Sequence, residues 1–230
     1  MKHVLVVTAM YFVLTLLSCQ ETKEDLKSQL SERIHYKSIG MEIPFETGME
    51  WIEYYKAESR KDNSDQGRLG LFTPYSIPDS QIQSAMESVG DLTGIAFHYG
   101  LDDLGRQHIL AIPVDETLSL WSPIPGRIFI DANTGEEISQ GEAYQWAQRY
   151  KSAHPNDIWF HFFGQNIFEE ICALPFFNSI EIEPAINILD LTPQLLLIIW
   201  NDDLLSLGRT HHPPALVYDA SNACPPCAVQ

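Results

Sequence analysis

Basic residues are scarce in the second half of this 230-residue chain, where Arg209 is the only Lys or Arg after Lys151. The same segment contains nine Asp and Glu residues, and the whole chain has a formal net charge of −17. A surface of this sign repels a phosphate backbone, so the composition argues against nucleic acid as a partner. The acidity favours solubility, and a sharper interpretation is electrostatic steering towards a basic partner.

Several catalytic signatures are missing as well. The chain lacks the serine-hydrolase motif, the glycine-rich phosphate loop and the two-histidine zinc helix. His211, His212, Cys224 and Cys227 could supply four zinc ligands, but consecutive histidines seldom both bind one ion, and the prolines that follow indicate a loop. We therefore predict no metal site, no cofactor and no catalytic residue.

Two acidic segments have features of binding or catalytic sites but are predicted to be turns. Asp131 and Asn133 have the spacing of calcium ligands, but Gly135 comes one position early for the usual loop and no bidentate Glu follows. Asp102 and Asp103 could form a pair of carboxylates, but Asp is also a preferred turn residue.

Apolar runs long enough to cross a membrane are also lacking. The run from Val4 to Leu17 is too short for a span with polar flanks and has the shape of an export signal, while "LLLIIW" at 195–200 has the length of a strand. The segment "LLSC" at 16–19 resembles the bacterial lipobox, which implies a mature chain beginning at a lipid-modified Cys19. An ordinary cleaved signal explains the apolar run but not the cysteine. We predict that residues 1–18 are a lipoprotein signal peptide.

The acyl chains (diacylglycerol and palmitate) on Cys19 are the predicted membrane anchor. The residue after Cys19 is not Asp, and the acidic cluster within 20–29 resembles the export tags of some surface-displayed lipoproteins. We expect an outer-membrane lipoprotein of the cell envelope, with the periplasmic and surface faces both open.

The sequence after residue 42 contains an internal repeat. Four residue types recur 95 positions later: Ile43, Trp51, Tyr55 and Lys56 match Ile138, Trp146, Tyr150 and Lys151, in that order. Further segments match in the same order, namely 70–72 with 161–163, 82–89 with 167–174, 116–121 with 203–208 and 127–132 with 215–220. This order predicts a tether at 19–42 and two related units, 43–137 and 138–230. The alternative is one domain with accidental similarity.

Each unit is predicted to contain two helices followed by a three-stranded antiparallel meander, which makes an α+β fold. Trp and Tyr at i,i+4 mark the first helix of each unit, with capping boxes at Thr47–Glu50 and Ser139–Glu142. The second helices cover 82–89 and 167–174. The strands are predicted at 94–100, 108–114, 127–131, 179–184, 195–200 and 215–219, and "TPYSIP" at 73–78 is predicted to be a loop.

Some of these motifs resemble an uncharacterised family of small bacterial proteins. Its pattern is a helix with Trp and Tyr, then "HFFG", "YYGLDD" and a late "CPPxC"; here the counterparts are Trp146 and Tyr150, "HFFGQNI" at 161–167, "HYGLDD" at 98–103 and "CPPC" at 224–227. The helix motifs match best in the second unit and the hairpin in the first, and the cysteine spacing is one residue shorter. The resemblance implies common ancestry of the units, as a tandem pair on a lipoprotein signal, and implies no activity.

The terminal cysteines allow two interpretations. An exported chain meets oxidising conditions, so we predict that Cys224 and Cys227 form a disulfide that staples the C terminus. The alternative is a thiol-disulfide oxidoreductase, although a redox CxxC normally opens a helix and only three residues follow Cys227. The leading prediction is a membrane-anchored, non-enzymatic binding or interaction module that takes a protein or small-molecule ligand at the seam between the units.

Overall fold

A computed structural model describes residues 35–61, 75–200, 215–219 and 222–224. The chain divides into two compact units, Met1–Tyr36 and Lys37–Gln230, and the fold below is that of the second. Its described elements, in chain order, are β1 (Met41–Ile43), α1 (Phe45–Lys61), β2 (Tyr75–Pro78), α2 (Asp79–Glu87), β3 (Leu92–Leu101), β4 (Gln107–Asp115), β5 (Phe129–Asp131), β6 (Glu136–Ile138), α3 (Gln140–Ala153), β7 (Phe160–Gly164), α4 (Gln165–Cys172), β8 (Ser179–Ile186), β9 (Pro193–Trp200), β10 (Ala215–Asp219) and β11 (Asn222–Cys224). The predicted α+β class is confirmed.

The strands form two antiparallel sheets. The first has the order β1-β10-β9-β8-β2 and the second has the order β11-β7-β3-β4-β5-β6. Both predicted meanders are present, as β3-β4-β5 and β8-β9-β10. Each meander is bordered by two short strands: β1 and β2 border the second meander, and β6 and β7 border the first. These flanking strands are absent from the sequence prediction.

Two local predictions were wrong. The segment predicted to be a loop contains β2, in which Tyr75 and Ile77 are buried and the alternate residues are exposed, as a strand with one buried face requires. Thr47 cannot cap its helix, because α1 already begins at Phe45. Ser139 is a true N-cap, since its hydroxyl accepts a hydrogen bond from the backbone N–H of Glu142 at 3.2 Å. Residues 70–72, matched above to 161–163, lie outside the described ranges.

The core explains why β9 is a continuous apolar run. Leu195, Leu197 and Ile199 join a large hydrophobic cluster that contains side chains of both sheets and of α2 and α4. Leu196 and Ile198 point to the opposite face, in a second cluster with α1. β9 is therefore buried on both faces at the centre of its sheet, as a run without alternation predicts.

Helix α3 packs on β3 of the second sheet. A Cβ on Gly100 would lie 3.1 Å from the Cβ of Trp146, so the glycine permits this close approach. Ala143 and Ala147, both fully buried, provide two more small contacts on α3. In the part of the chain that the structure describes, no helix has the length and apolar character needed to cross a membrane.

Candidate functional site

A cleft of about 740 Å³ lies where α1 and α3 end. Residues 43–137 contribute the end of α1 and parts of β3 and β4, while residues 138–230 contribute the end of α3, the loop after it, β7 and the facing ends of β8 and β9. The cleft therefore lies between the two halves of the sequence. Its volume is in the range typical of small-molecule sites.

Helix and strand periodicity place the aromatic side chains of the cleft. Tyr55 follows Trp51 by one helical turn, and Tyr150 follows Trp146 in the same way, so both tyrosines share the inward face of their helix near its C-terminal end. In the second sheet, Phe97 pairs with His161, so Tyr99, two residues further along β3, lies on the same face as His161.

These rings form a continuous aromatic wall. The His161 and Tyr99 rings meet edge to face at 5.9 Å between centroids, and Tyr99 lies 5.3 Å from Tyr150. Tyr150 lies in turn 4.6 Å from His154, whose Nδ1 is 3.3 Å from the Asp157 carboxylate. The wall therefore connects a buried imidazole to a half-exposed contact between an imidazole and a carboxylate.

His161 is the unusual member of this wall. It is fully buried, yet neither Nδ1 nor Nε2 has a hydrogen-bond partner. Burial lowers its pKa to about 3, so the ring is neutral at pH 7 and offers one N–H donor and one acceptor nitrogen. A buried polar group without a partner costs about 1–3 kcal/mol. Gln107, which also lines the cleft, has an unpartnered Nε2 as well.

The carboxylates of the lining are Glu58 and Asp157. No Lys or Arg belongs to the lining among the residues that the structure describes. Burial raises the pKa of Tyr55 to about 12 and raises that of Tyr99 as well, so both phenols stay neutral at pH 7. An organic ligand would therefore meet neutral phenol rings and the neutral imidazole of His161 together with two carboxylates.

A second buried imidazole lies elsewhere, in a group that we call the His108 cluster (Asp102, Arg106, His108 and Asp131). His108 Nδ1 lies 3.1 and 3.0 Å from the two Asp131 carboxylate oxygens, and Nε2 lies 3.5 Å from Asp102 Oδ2. The Trp146 ring covers His108 at 4.3 Å. Burial by itself would lower the pKa of His108, but Asp131 and then Asp102 outweigh it and raise the pKa.

Both segments interpreted as turns are turns. Gly135 donates its N–H to Asp131 O at 2.8 Å and has a φ of 70°, while the Asn133 N–H reaches Asp131 Oδ1 at 3.0 Å. Asp102 Oδ1 accepts the backbone N–H groups of Leu104 and Arg106 at 2.9 and 2.8 Å.

The adjacent carboxylates Asp102 and Asp103 do not act together. Asp102 is buried, and its Oδ2 accepts the Arg106 Nε at 2.6 Å, whereas the 80% exposed side chain of Asp103 pairs with Arg149. Burial would raise the pKa of Asp102, but the hydrogen bonds from Arg106 and Leu104 prevail and hold that pKa at about 2.

The remaining predicted site residues lie mostly outside the described ranges. Cys19, Cys227, His211 and His212 all do so. Cys224 ends β11, where it pairs with Phe160 of β7. Within the described part of the chain, no group of three His, Cys, Asp or Glu residues is arranged to hold a metal ion.

Sequence reasoning missed His108 and His161 as members of buried sites. His161 stands at the start of the "HFFG" motif, where a histidine in an otherwise apolar strand was the available signal. For His108, the signal was its place at the start of β4, beside the strand that ends in Asp131.

Comparison of the chain with protein-family models, curated proteins and solved structures found no match.

Proposed function

We propose that this chain is a membrane-anchored lipoprotein of the bacterial cell envelope and that its unit Lys37–Gln230 binds a small-molecule ligand in the cleft without chemical reaction. The observation that carries the proposal is His161, a fully buried imidazole that lines the cleft with both ring nitrogens unpartnered. Native proteins pair almost all buried polar groups, so an exception that faces an open cleft indicates a ligand that completes the hydrogen bonding.

The non-enzymatic part of the proposal is supported by the His108 cluster, the arrangement closest to catalytic machinery among the described residues. Asp131 holds His108, and hydrogen bonds from its own turn hold Asp102. The His108 ring lies between Asp131 and Asp102 under the Trp146 ring, and it is not part of the cleft lining, so its nitrogens face carboxylates and not a ligand. The cluster fits a structural role that fixes β4, β5 and the β3–β4 turn.

The thiol-disulfide alternative has less support. A reactive thiol needs a helix N terminus or a nearby cation to lower its pKa. Cys224 ends a strand that pairs with Phe160, and not a helix. We therefore retain a C-terminal disulfide between Cys224 and Cys227 as the proposal for this pair.

We also propose that 43–137 and 138–230 are related units. The similar bordering of the two meanders supports this, because the second is bordered by β1, which ends at Ile43, and β2, while the first is bordered by β6, which ends at Ile138, and β7. The strand register supports it too. The repeat matches Ile43 with Ile138 and Val217 with Phe129, and the strand pairings follow this match, because Ile43 pairs with Val217 and Ile138 pairs with Phe129. A cleft at a seam between related units follows naturally.

The ligand proposal is tested with two tryptophan substitutions on α1. Ser59→Trp places a large side chain in the cleft lining, whereas Ala57→Trp adds the same side chain at an exposed position two residues away. Each full-length protein in non-ionic detergent is dialysed against a low-molecular-mass cell extract, and retained compounds are identified by mass spectrometry. We expect a compound that wild type and Ala57→Trp retain and Ser59→Trp does not. Equal retention by all three proteins, or by none, contradicts a ligand-binding cleft.

The anchor is tested separately by cell fractionation. Cys19→Ala removes the proposed acylation site, so we expect the protein to move from the membrane fraction to the soluble fraction. Cys172→Ala is the matched control, because Cys172 lies on α4 and is not part of the lipobox. Membrane association of Cys19→Ala that persists after washing would rule out the lipid anchor.

A further inference from the structure

The geometry points to a small organic cation, with a protonated amine or amidine group, as the ligand of the cleft. This inference rests on the proposed binding function and specifies its chemistry. A suitable ligand would direct its N–H groups at the acceptor nitrogen of His161 and at the carboxylates of Glu58 and Asp157.

Charge is the first argument. Among the described residues, the lining contains two carboxylates and no Lys or Arg, and the chain as a whole has a formal net charge of −17. A cleft with low-dielectric walls concentrates such a field, which attracts cations and repels anions. His154 lies against Asp157, so the imidazole at the mouth of the cleft is already associated with a carboxylate.

The inner end of the cleft supplies the second argument. A buried imidazole that stays neutral at pH 7 does not repel a cation, and its unprotonated nitrogen accepts a hydrogen bond. An anionic ligand would instead need a guanidinium or ammonium donor, and the described residues of the lining include no Arg or Lys.

Three probes of nearly the same shape separate the contribution of ligand charge from that of ligand shape. Benzamidinium is a planar cation, benzamide is its neutral counterpart and benzoate is the anion. Binding to the full-length protein in non-ionic detergent is measured by isothermal titration calorimetry. We expect benzamidinium to bind at least about tenfold more tightly than benzamide, a factor that corresponds to one modest charged contact, and benzoate to bind most weakly. The difference in affinity between benzamidinium and benzamide should decrease as salt is added.

Conservative variants identify the carboxylates that bind the cationic probe. Glu58→Gln and Asp157→Asn should each weaken benzamidinium binding about three- to tenfold and leave benzamide binding unchanged. Glu53→Gln is the matched control, because Glu53 is on α1, is exposed and is not part of the lining, and it should change binding less than about twofold. His161→Phe should weaken both benzamidinium and benzamide, and its folding is checked by thermal unfolding.

Two results overturn the inference. One is binding of benzamide or benzoate as tight as that of benzamidinium, and the other is no benzamidinium binding up to roughly 10 mM, above which an affinity carries little specificity. These failures differ from failure of the proposed function. If Ser59→Trp abolishes retention of a neutral or anionic compound from the extract, the cleft binds a ligand and only its cationic character is wrong.

Discussion

Of the three buried imidazoles among the described residues, His108 and His161 are in opposite circumstances. His108 lies between Asp131 and Asp102, and the pKa of His108 is raised. His161 contacts Tyr99, has no hydrogen-bond partner, and its pKa is lowered to about 3 by burial. The two rings are similarly inaccessible, at 7% and 0% exposed, so the difference comes from their neighbours.

This difference separates a structural group from a binding group. A buried polar network in which carboxylates face the imidazole holds its elements in a fixed register, and the His108 cluster does this for the ends of β4 and β5. A buried imidazole without partners stabilises nothing by itself, and it remains useful if a ligand supplies the missing contact. Titration experiments can test the distinction without knowledge of the ligand.

The largest expected effect is the loss of the Asp131 charge. Asp131→Asn keeps an oxygen for the turn but leaves His108 without its main counter-ion, so we expect the free energy of unfolding to fall by about 3 kcal/mol near pH 6. Because the pKa of His108 is raised in the folded state, this stabilisation is complete below about pH 6.5 and is lost as the pH rises through the folded-state value. The variant should therefore differ less from wild type in alkali.

Urea unfolding at several pH values measures this effect, and a double-mutant cycle with His108→Asn assigns it. If the two residues act as a pair, the double variant should be more stable than the sum of the single losses predicts. Simple additivity would show that Asp131 acts only through its turn.

The second expected effect is on the acid limb, the decline of the free energy of unfolding as the pH falls below neutral. This effect should be somewhat smaller than that of Asp131→Asn. The folded-state pKa of His161 is lowered to about 3 from a usual 6.5, so the unfolded chain takes up a proton that the folded chain does not. Between about pH 6.5 and 4.5 this difference in proton uptake should lower the free energy of unfolding by about 2 kcal/mol. His161→Phe should abolish the part of the decline that His161 causes.

His98 provides an internal comparison for the acid limb. Burial lowers its pKa to about 4, although its Nδ1 lies 2.6 Å from the carbonyl oxygen of Tyr99. The decline should therefore become shallower in His161→Phe without vanishing. An unchanged acid limb would mean that His161 is solvated or partnered in solution, which would weaken the distinction from His108.

Local patterns were sufficient to predict the central elements of the fold. The i,i+4 aromatic pairs identified α1 and α3, and the unbroken apolar run identified β9 as a central strand. Each of these signals depends on residues that are close in sequence, and each helix or strand is long enough to display its period.

The flanking strands could not be predicted in this way. β1 and β6 have three residues each, too few to show an alternation, and they exist because Ile43 meets Val217 and Ile138 meets Phe129. Such pairings join residues that are distant in sequence, so no short stretch of sequence predicts them. The same limit applies to the cleft, because Tyr55, Tyr99 and His161 come together only when α1, β3 and β7 are placed side by side.

The smallest effect distinguishes the two adjacent carboxylates that the sequence presents as a pair. Asp102 is buried in the His108 cluster, and its pKa of about 2 reflects hydrogen bonds that only the ionised form makes fully. Asp102→Asn should lower the free energy of unfolding by about 1 kcal/mol at pH 7, since the amide oxygen still accepts from the turn. A lowered folded-state pKa stabilises above the unfolded value of about 3.8, so this contribution disappears as the pH falls towards 2.

Asp103→Asn is the matched control, because the side chain of Asp103 is exposed and its contact with Arg149 is a surface ion pair. Such pairs contribute about 0–1 kcal/mol, so its effect should be smaller still and should weaken with added salt. Urea midpoints for both variants at about pH 7 and pH 3 provide the measurement. Equal losses in the two variants would show that Asp102 belongs to the turn and not to the His108 cluster, and the contrast between the two imidazoles would then depend on Asp131 alone.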